Sequence, residues 1–235
     1  MSKKCVYYAA ICVDYANRIE MVIFNVILAL RKGVNMEKLS NFITDFCMRH
    51  SQIPQEKREI YNYGFKLIFA DIINFTIVIL LGLCIRRALE SVIFLLTLSG
   101  LRMYSGGYHA KTFLLCRLSM IATYIAVMLT TWLVLSINRA TTIVVIINII
   151  SVLGVTKLAP IENINKKLSS RQIRENKIKS VIIASALSFI STVLFLLNIR
   201  EEGVIISITL LAVVILMIVG LVAKKGGGSN VQLVE

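Results

Sequence analysis

The sequence predicts an all-α polytopic membrane protein, and three observations carry that expectation. Of 235 residues, 57% are hydrophobic and only 17% are charged, less charge than a soluble domain of this length carries. Mean hydropathy is +0.79. The apolar residues gather into runs close to the roughly 20 residues that cross a bilayer. About six transmembrane segments are expected, one of them short or re-entrant, preceded by amphipathic cytoplasmic helices.

Residues 1–35 form an N-terminal extension that is open to two readings. Met36 is a second good start, and Arg31-Lys32-Gly33-Val34-Asn35 is encodable by a purine-rich stretch of the kind that precedes a start codon. On that reading the extension is a translated leader and not native. Met21–Leu30 is strongly apolar, however, so a genuine amphipathic segment on a membrane surface fits equally.

Residues 36–63 read as an amphipathic cytoplasmic or interfacial region. Leu39, Phe42, Ile43 and Phe46 recur at helical spacing, with Glu37, Lys38, Asn41 and Asp45 between them. Pro54 interrupts, and Gln55–Tyr63 resumes with charges. The region is expected to lie against the membrane or the protein.

The membrane domain, 64–225, holds five runs long enough to span: Phe65–Ile85, Leu118–Ile137, Thr142–Leu158, Ser180–Asn198 and Val204–Val222. Thr142–Leu158 is near the lower length limit. A sixth run, Ser91–Leu101, is too short to cross alone. It reads as a short or tilted segment completed by Arg102–Gly107, or as a re-entrant element, which would need protein or water around its backbone.

Net charge is +13, but the cations sit between apolar runs, which points to membrane topology and not to nucleic acid. Lys157, Lys166, Lys167, Arg171, Arg174, Lys177 and Lys179 crowd one loop, which the positive-inside rule makes cytoplasmic. Alternation then places the N-terminus, the Arg102–Arg117 segment and the Lys224-Lys225 tail inside, and Arg200-Glu201-Glu202-Gly203 outside. Arg86-Arg87 is the misfit, unless Ser91–Leu101 is re-entrant.

Two further features are set aside. Cys5, Cys12, Cys47, Cys84 and Cys116 make neither a CxxC pair nor a zinc spacing, so no metal site and no cofactor is expected. Cys84 reads as a small buried apolar residue. Gly226-Gly227-Gly228-Ser229 has the composition of an engineered flexible linker. The residues after it resemble the opening of an antibody heavy-chain variable domain. Residues 226–235 therefore count as a linker or fusion remnant.

The chemistry-bearing stretch is Arg102-Met103-Tyr104-Ser105-Gly106-Gly107-Tyr108-His109, with Cys116 seven residues after the histidine. Ionisable groups at or near membrane depth are costly and usually functional. A cysteine with a histidine makes a thiol nucleophile and its general base. Arg102, His109, Lys111 and Arg117 would favour the thiolate, and no acidic residue lies between Arg102 and Arg117. On one straight helix, seven residues separate the two side chains by about 10 Å along the axis, too far for proton transfer. A direct pair therefore needs a bend or loop before Cys116. Gly106 and Gly107 permit unusual backbone angles and close approach of a peptide.

Ser105 is a candidate oxyanion donor, and a backbone N–H of the glycine turn is an equal one. Asp71 and Asn74, at i,i+3 spacing in the first span, are weaker candidates for the third group that orients such a histidine. A helix–helix hydrogen bond or an ion pair with an arginine is the rival role for Asp71. The plain alternative for the pair itself is that His109 caps a helix and Cys116 is a buried small residue.

Taken together, Arg102, Gly106-Gly107-x-His109-Ala110 and Cys116 resemble the accessory gene regulator B (AgrB) family of bacterial quorum-sensing peptidases. The likeness covers roughly Met36–Lys225 and includes the amphipathic entry and the lysine-rich loop after Ala159-Pro160. It implies a membrane cysteine endopeptidase that acts on an AgrD-like propeptide. Cys116 would be the nucleophile and His109 the base and then acid, at the cytoplasmic side of a bacterial cell membrane. An acyl-enzyme captured by an internal thiol or hydroxyl would give a thiolactone or lactone ring. A homodimer follows from the likeness alone. The competing expectation is a non-enzymatic membrane peptide exporter or peptide-binding partner, since the chain has no nucleotide-binding loop but has several spans and a basic loop.

Overall fold

The structure, a computed structural model, describes residues 36–50, 55–106, 113–137, 139–161 and 169–226. Seven α-helices and no strand occur among the described residues. They are α1 (Met36–His50), α2 (Arg58–Cys84, entered through a 3-10 turn at Gln55–Lys57), α3 (Ala88–Ser105), α4 (Phe113–Leu135), α5 (Ala140–Leu158), α6 (Ser170–Leu196) and α7 (Arg200–Gly226). Five segments are long and apolar enough to cross a membrane: Gln55–Cys84, Leu114–Leu135, Ala140–Leu158, Ser170–Leu196 and Arg200–Val222. Each coincides with one of the five apolar runs, so the chain is an all-α, multi-pass membrane protein.

Several boundaries differ from the expectation for a common reason: charge limits what a membrane core tolerates, not what a helix tolerates. Gln55–Tyr63 belongs to the same helical segment as the first span. Arg171, Arg174, Lys177 and Lys179, expected in a loop, ride on the first turns of α6. That helix starts where Ser169 and Gln172 make a capping box. The Gln172 N–H donates to Ser169 Oγ at 3.3 Å and the Ser169 N–H donates to Gln172 Oε1 at 3.0 Å. Ser91–Leu101, expected as a short or tilted segment completed by Arg102–Gly107 or as a re-entrant element, lies within one continuous helix of 18 residues that runs on to Ser105, about 27 Å long, as the first alternative has it.

Two turns share one chemistry. At the end of α2 the Arg87 N–H donates to the Gly82 carbonyl at 2.7 Å and the Arg86 N–H to the Leu83 carbonyl at 3.1 Å. Arg86 sits at φ +58°. At the end of α6 the Ile199 and Asn198 N–H groups bond the Leu194 and Phe195 carbonyls in the same pattern, with Asn198 at φ +66°. Both are Schellman motifs, in which one left-handed residue reverses the chain and caps the last carbonyls. Asparagine tolerates that backbone; arginine bears more strain there.

The chain divides into two compact units, residues 1–89 and 90–235. In the first, α1 packs on the start of α2. Arg58 donates to Asp45 Oδ1 from Nε at 3.1 Å and from Nη2 at 2.8 Å, and Asn62 Nδ2 donates to Asn41 Oδ1 at 2.8 Å. The helix buries Ser40 and Thr44 and leaves Phe42 70% and Phe46 55% exposed. Phe42 and Phe46 of the expected apolar stripe lie on the side of α1 away from the buried Ser40 and Thr44, so these aromatics are left open to a membrane surface. Small polar side chains let α1 lie close to α2, and the Thr44 hydroxyl satisfies itself on the Ser40 carbonyl at 2.7 Å.

In the second unit α7 is the central helix, with α4, α5 and α6 against it. Every residue from Val204 to Leu210 is buried, so the burial encircles the helix. Small residues set the spacing. A methyl group added at Gly203 would stand 2.8 Å from the Ser191 carbonyl oxygen, and one at Gly154 would stand 2.6 Å from Val214 Cγ1. Polar groups fill the contact between α5, α6 and α7. Asn148 Nδ2 donates to Ser188 O at 3.3 Å, Ser191 Oγ at 3.3 Å and Thr192 Oγ1 at 3.1 Å. Ser191 Oγ donates to the Gly203 carbonyl at 2.8 Å and meets the Ser207 hydroxyl. Outward, Leu129, Trp132 and Leu133 of α4 and Ile146, Ile149 and Ile150 of α5 are exposed, as a lipid-facing surface requires.

Candidate active site

The motif falls on the end of α3 and the start of α4. α3 is held to α4 by Tyr124, whose hydroxyl shares a 2.7 Å hydrogen bond with Ser91 and whose ring meets Phe94 edge-on at 5.3 Å between centroids. Arg102 is half-buried in the last turn of α3. The Gly106 N–H closes that turn on the Arg102 carbonyl at 3.1 Å.

Gly106 adopts φ +71°, a left-handed conformation that glycine enters freely. It also has a neighbour that only glycine admits. A Cβ at this position would run into the carbonyl oxygen of Ile161, and would stand 3.3 Å from the Ile161 nitrogen. Ile161 comes from the segment after α5, directly beyond Ala159-Pro160, whose peptide bond is cis. Its N–H donates to the Ser105 carbonyl at 2.9 Å. Next to this turn, Tyr104 carries Lys179 of α6, with Nζ 5.4 Å from the ring centroid. Such a contact contributes about 0.5–1 kcal/mol where exposed and more where dry.

Cys116 lies in the first turn of α4, half-buried, with a free thiol. The apolar run alone, starting at Leu118 after Arg117, leaves Cys116 ahead of the span; the helix begins at Phe113. Arg117, the next residue, is half-buried beside Cys116, and its buried Nε has no hydrogen-bond partner among the described residues. The helix N-terminus and Arg117 both place positive charge near the Cys116 sulfur.

Ser105 is fully buried, and its hydroxyl donates to the Gly106 carbonyl at 3.2 Å. In this arrangement its one proton closes the turn. His109 and Gly107 lie outside the described residues. Asp71 and Asn74 are in α2, in the other unit. Asp71 is exposed; Asn74 is buried, and its Oδ1 has no hydrogen-bond partner among the described residues.

The sequence reading did not foresee the contacts of Ile161 with Ser105 and Gly106 or of Lys179 with Tyr104. The only signals for them were weak: a proline-bearing exit from one span, and the last cation before the apolar run of another.

The family model of accessory gene regulator B matches residues 37–221. The chain belongs to the AgrB family. An AgrB-like protein of Clostridium perfringens strain SM101 is 29% identical over 168 residues, 68% of this chain and 78% of the relative. A second AgrB-like protein, from C. perfringens strain 13, is 29% identical over 170 residues with the same coverage. The accessory gene regulator protein B of Staphylococcus intermedius is 31% identical over 103 residues, 44% of this chain and 53% of that protein. No solved structure matches. Membership places the chain in accessory gene regulation, the quorum-sensing system of this family.

Proposed function

We propose that the protein is a membrane-embedded cysteine endopeptidase that processes an AgrD-like propeptide, with Cys116 as nucleophile and His109 as base and acid. The observation that carries the reading is the placement of Cys116: a free, half-buried thiol in the first turn of a membrane helix, beside Arg117. It follows a turn in which Gly106 cannot be replaced without displacing Ile161.

In this reaction the Cys116 sulfur attacks a carbonyl carbon of the propeptide while His109 takes the thiol proton. The oxyanion then collapses and the peptide C–N bond breaks. His109 returns the proton to the departing amine of the C-terminal tail. The thioester left on Cys116 is attacked by a thiol or hydroxyl within the propeptide. The C–S bond to Cys116 then breaks, closing a thiolactone or lactone, and the proton of the attacking group passes through His109 to restore the Cys116 thiol. Water at this stage would give a linear acid, so a site at the membrane border that limits water favours the ring. Arg102 serves to position the substrate, and backbone N–H groups of the glycine turn stabilise the oxyanion. The active site faces the cytoplasm, and the enzyme works as a homodimer.

The test is propeptide cleavage by purified protein in lipid vesicles. Wild type should release the tail, and Cys116→Ser and His109→Ala should not while remaining folded and able to bind propeptide. Tail release unaffected by Cys116→Ser would remove the reading and favour a peptide exporter or binding partner.

A further inference from the structure

We propose that Tyr104, Lys179 and the backbone of Ile161 form a positioning clamp that sets the attack geometry of Cys116 through the Ser105–Gly106 turn. The inference rests on the peptidase reading and deepens it. Three contacts from outside α3 converge on three consecutive residues. Lys179 of α6 covers the Tyr104 ring at 5.4 Å. The Ile161 N–H bonds the Ser105 carbonyl at 2.9 Å, and the Ile161 carbonyl fills the space beside the Gly106 α-carbon.

A helix end does not need these contacts. The last turn of α3 is already closed by the Gly106 N–H on the Arg102 carbonyl. What Ile161 and Lys179 add is the direction in which the chain leaves α3. From Gly106 the chain reaches Phe113 in seven residues, and Cys116 follows within the first turn of α4. Cys116 follows Gly106 by ten residues in the chain, so the placement of residues 104–106 bears on that of the thiol. Catalytic rate falls steeply when reacting groups are misplaced by as little as about 1 Å.

Lys179 has a bland role too, since any cation at the start of this span would help set topology. Topology does not demand a ring beneath the ammonium, however, nor a lysine placed one residue before the fully buried Ser180. The cation–ring pair is chemically separable from charge alone. Tyr104→Phe keeps the ring face and Tyr104→Leu removes it; Lys179→Arg keeps the cation and Lys179→Met removes it. Neither side chain acts on the reacting atoms, so both are positioning residues.

The experiment uses the full chain in lipid vesicles, with these four variants and the double variant Tyr104→Leu/Lys179→Met. The first readout is kcat and KM for cleavage of the cognate propeptide. The second, without propeptide, is the rate at which iodoacetamide alkylates Cys116, followed by mass spectrometry of the peptide that contains it. Tyr104→Leu and Lys179→Met should each lower kcat about tenfold with KM within about twofold, because misplacement affects the transition state more than binding. Tyr104→Phe and Lys179→Arg should stay within about twofold of wild type. The double variant should be no worse than the poorer single, as for two halves of one contact.

The alkylation rate should change about threefold or more in the contact-breaking variants alone. Breaking and conservative variants that match in both readouts would overturn the clamp, as would an additive double variant. If wild type cleaves nothing, the peptidase reading falls and alkylation alone decides: an unchanged rate rejects the clamp and a changed one upholds it. Should Tyr104→Leu fail to fold, Lys179→Met, at an exposed position on another helix, supplies the same comparison.

Discussion

The backbone N–H of Ile161 donates to the carbonyl of Ser105 at 2.9 Å, joining the exit of one membrane helix to the end of the helix that carries the Arg102–Gly106 motif. The same residue's carbonyl closes over Gly106. Gly106→Ala therefore meets two obstacles. The left-handed backbone costs an alanine about 1–2 kcal/mol, and the added methyl pushes Ile161 away. The variant should unfold at lower temperature than wild type in a detergent melt at fixed scan rate, and should cleave propeptide at least about tenfold more slowly. Normal cleavage by Gly106→Ala would mean that the turn does not set the site.

Ser105 gives a sharper contrast. Its hydroxyl donates to the Gly106 carbonyl, so its role in this structure is to close the turn. Ser105→Ala should lower kcat by less than about tenfold, whereas loss of an oxyanion donor costs about 100- to 1000-fold. A single-turnover cleavage assay separates the two.

The left-handed positions predict opposite effects at matching places in two Schellman turns. Arg86→Gly should stabilise the protein by about 1 kcal/mol, since glycine enters φ +58° freely. Asn198→Ala should destabilise it by a similar amount at φ +66°. Thermal melts of both variants in one detergent check the signs.

Asn148 joins α5 to α6 through three donor contacts while 3% exposed. Interhelical polar contacts in membranes contribute about 0.6 kcal/mol on average and about 1.7 at most. Asn148→Ala should cost about 1–2 kcal/mol, the upper end, because it also leaves a void beside Ser191. Gly203→Ala should cost more, about 1–3 kcal/mol, through overpacking against the Ser191 carbonyl. Stability of both is readable by unfolding in mixed detergent.

The spans were legible because hydropathy is a property of each segment alone. Val204–Val222 needs no partner to be recognised as apolar, and its helix matches. Boundaries set by a charge were not. Arg117 pushed the expected start of α4 past Cys116, and Lys179 hid the first ten residues of α6. Which of the two expected surfaces, membrane or protein, the α1 stripe faces was also hidden, because only the burial of Ser40 and Thr44 and the exposure of Phe42 and Phe46 show which side of α1 is covered. Of the candidate site, Arg102, Gly106 and Cys116 are candidates that local chemistry alone suggests. Ile161 and Lys179 are not, since each reaches the motif only through the packing of α5 and α6.

The most direct test of the central claim is the intact mass of the protein after brief mixing with propeptide. The account predicts an adduct equal to the propeptide without its C-terminal tail, mapped to Cys116 and decaying as a cyclic product appears. Tail release with no adduct on Cys116 at any time, or an adduct at another residue that persists in Cys116→Ser, would contradict it.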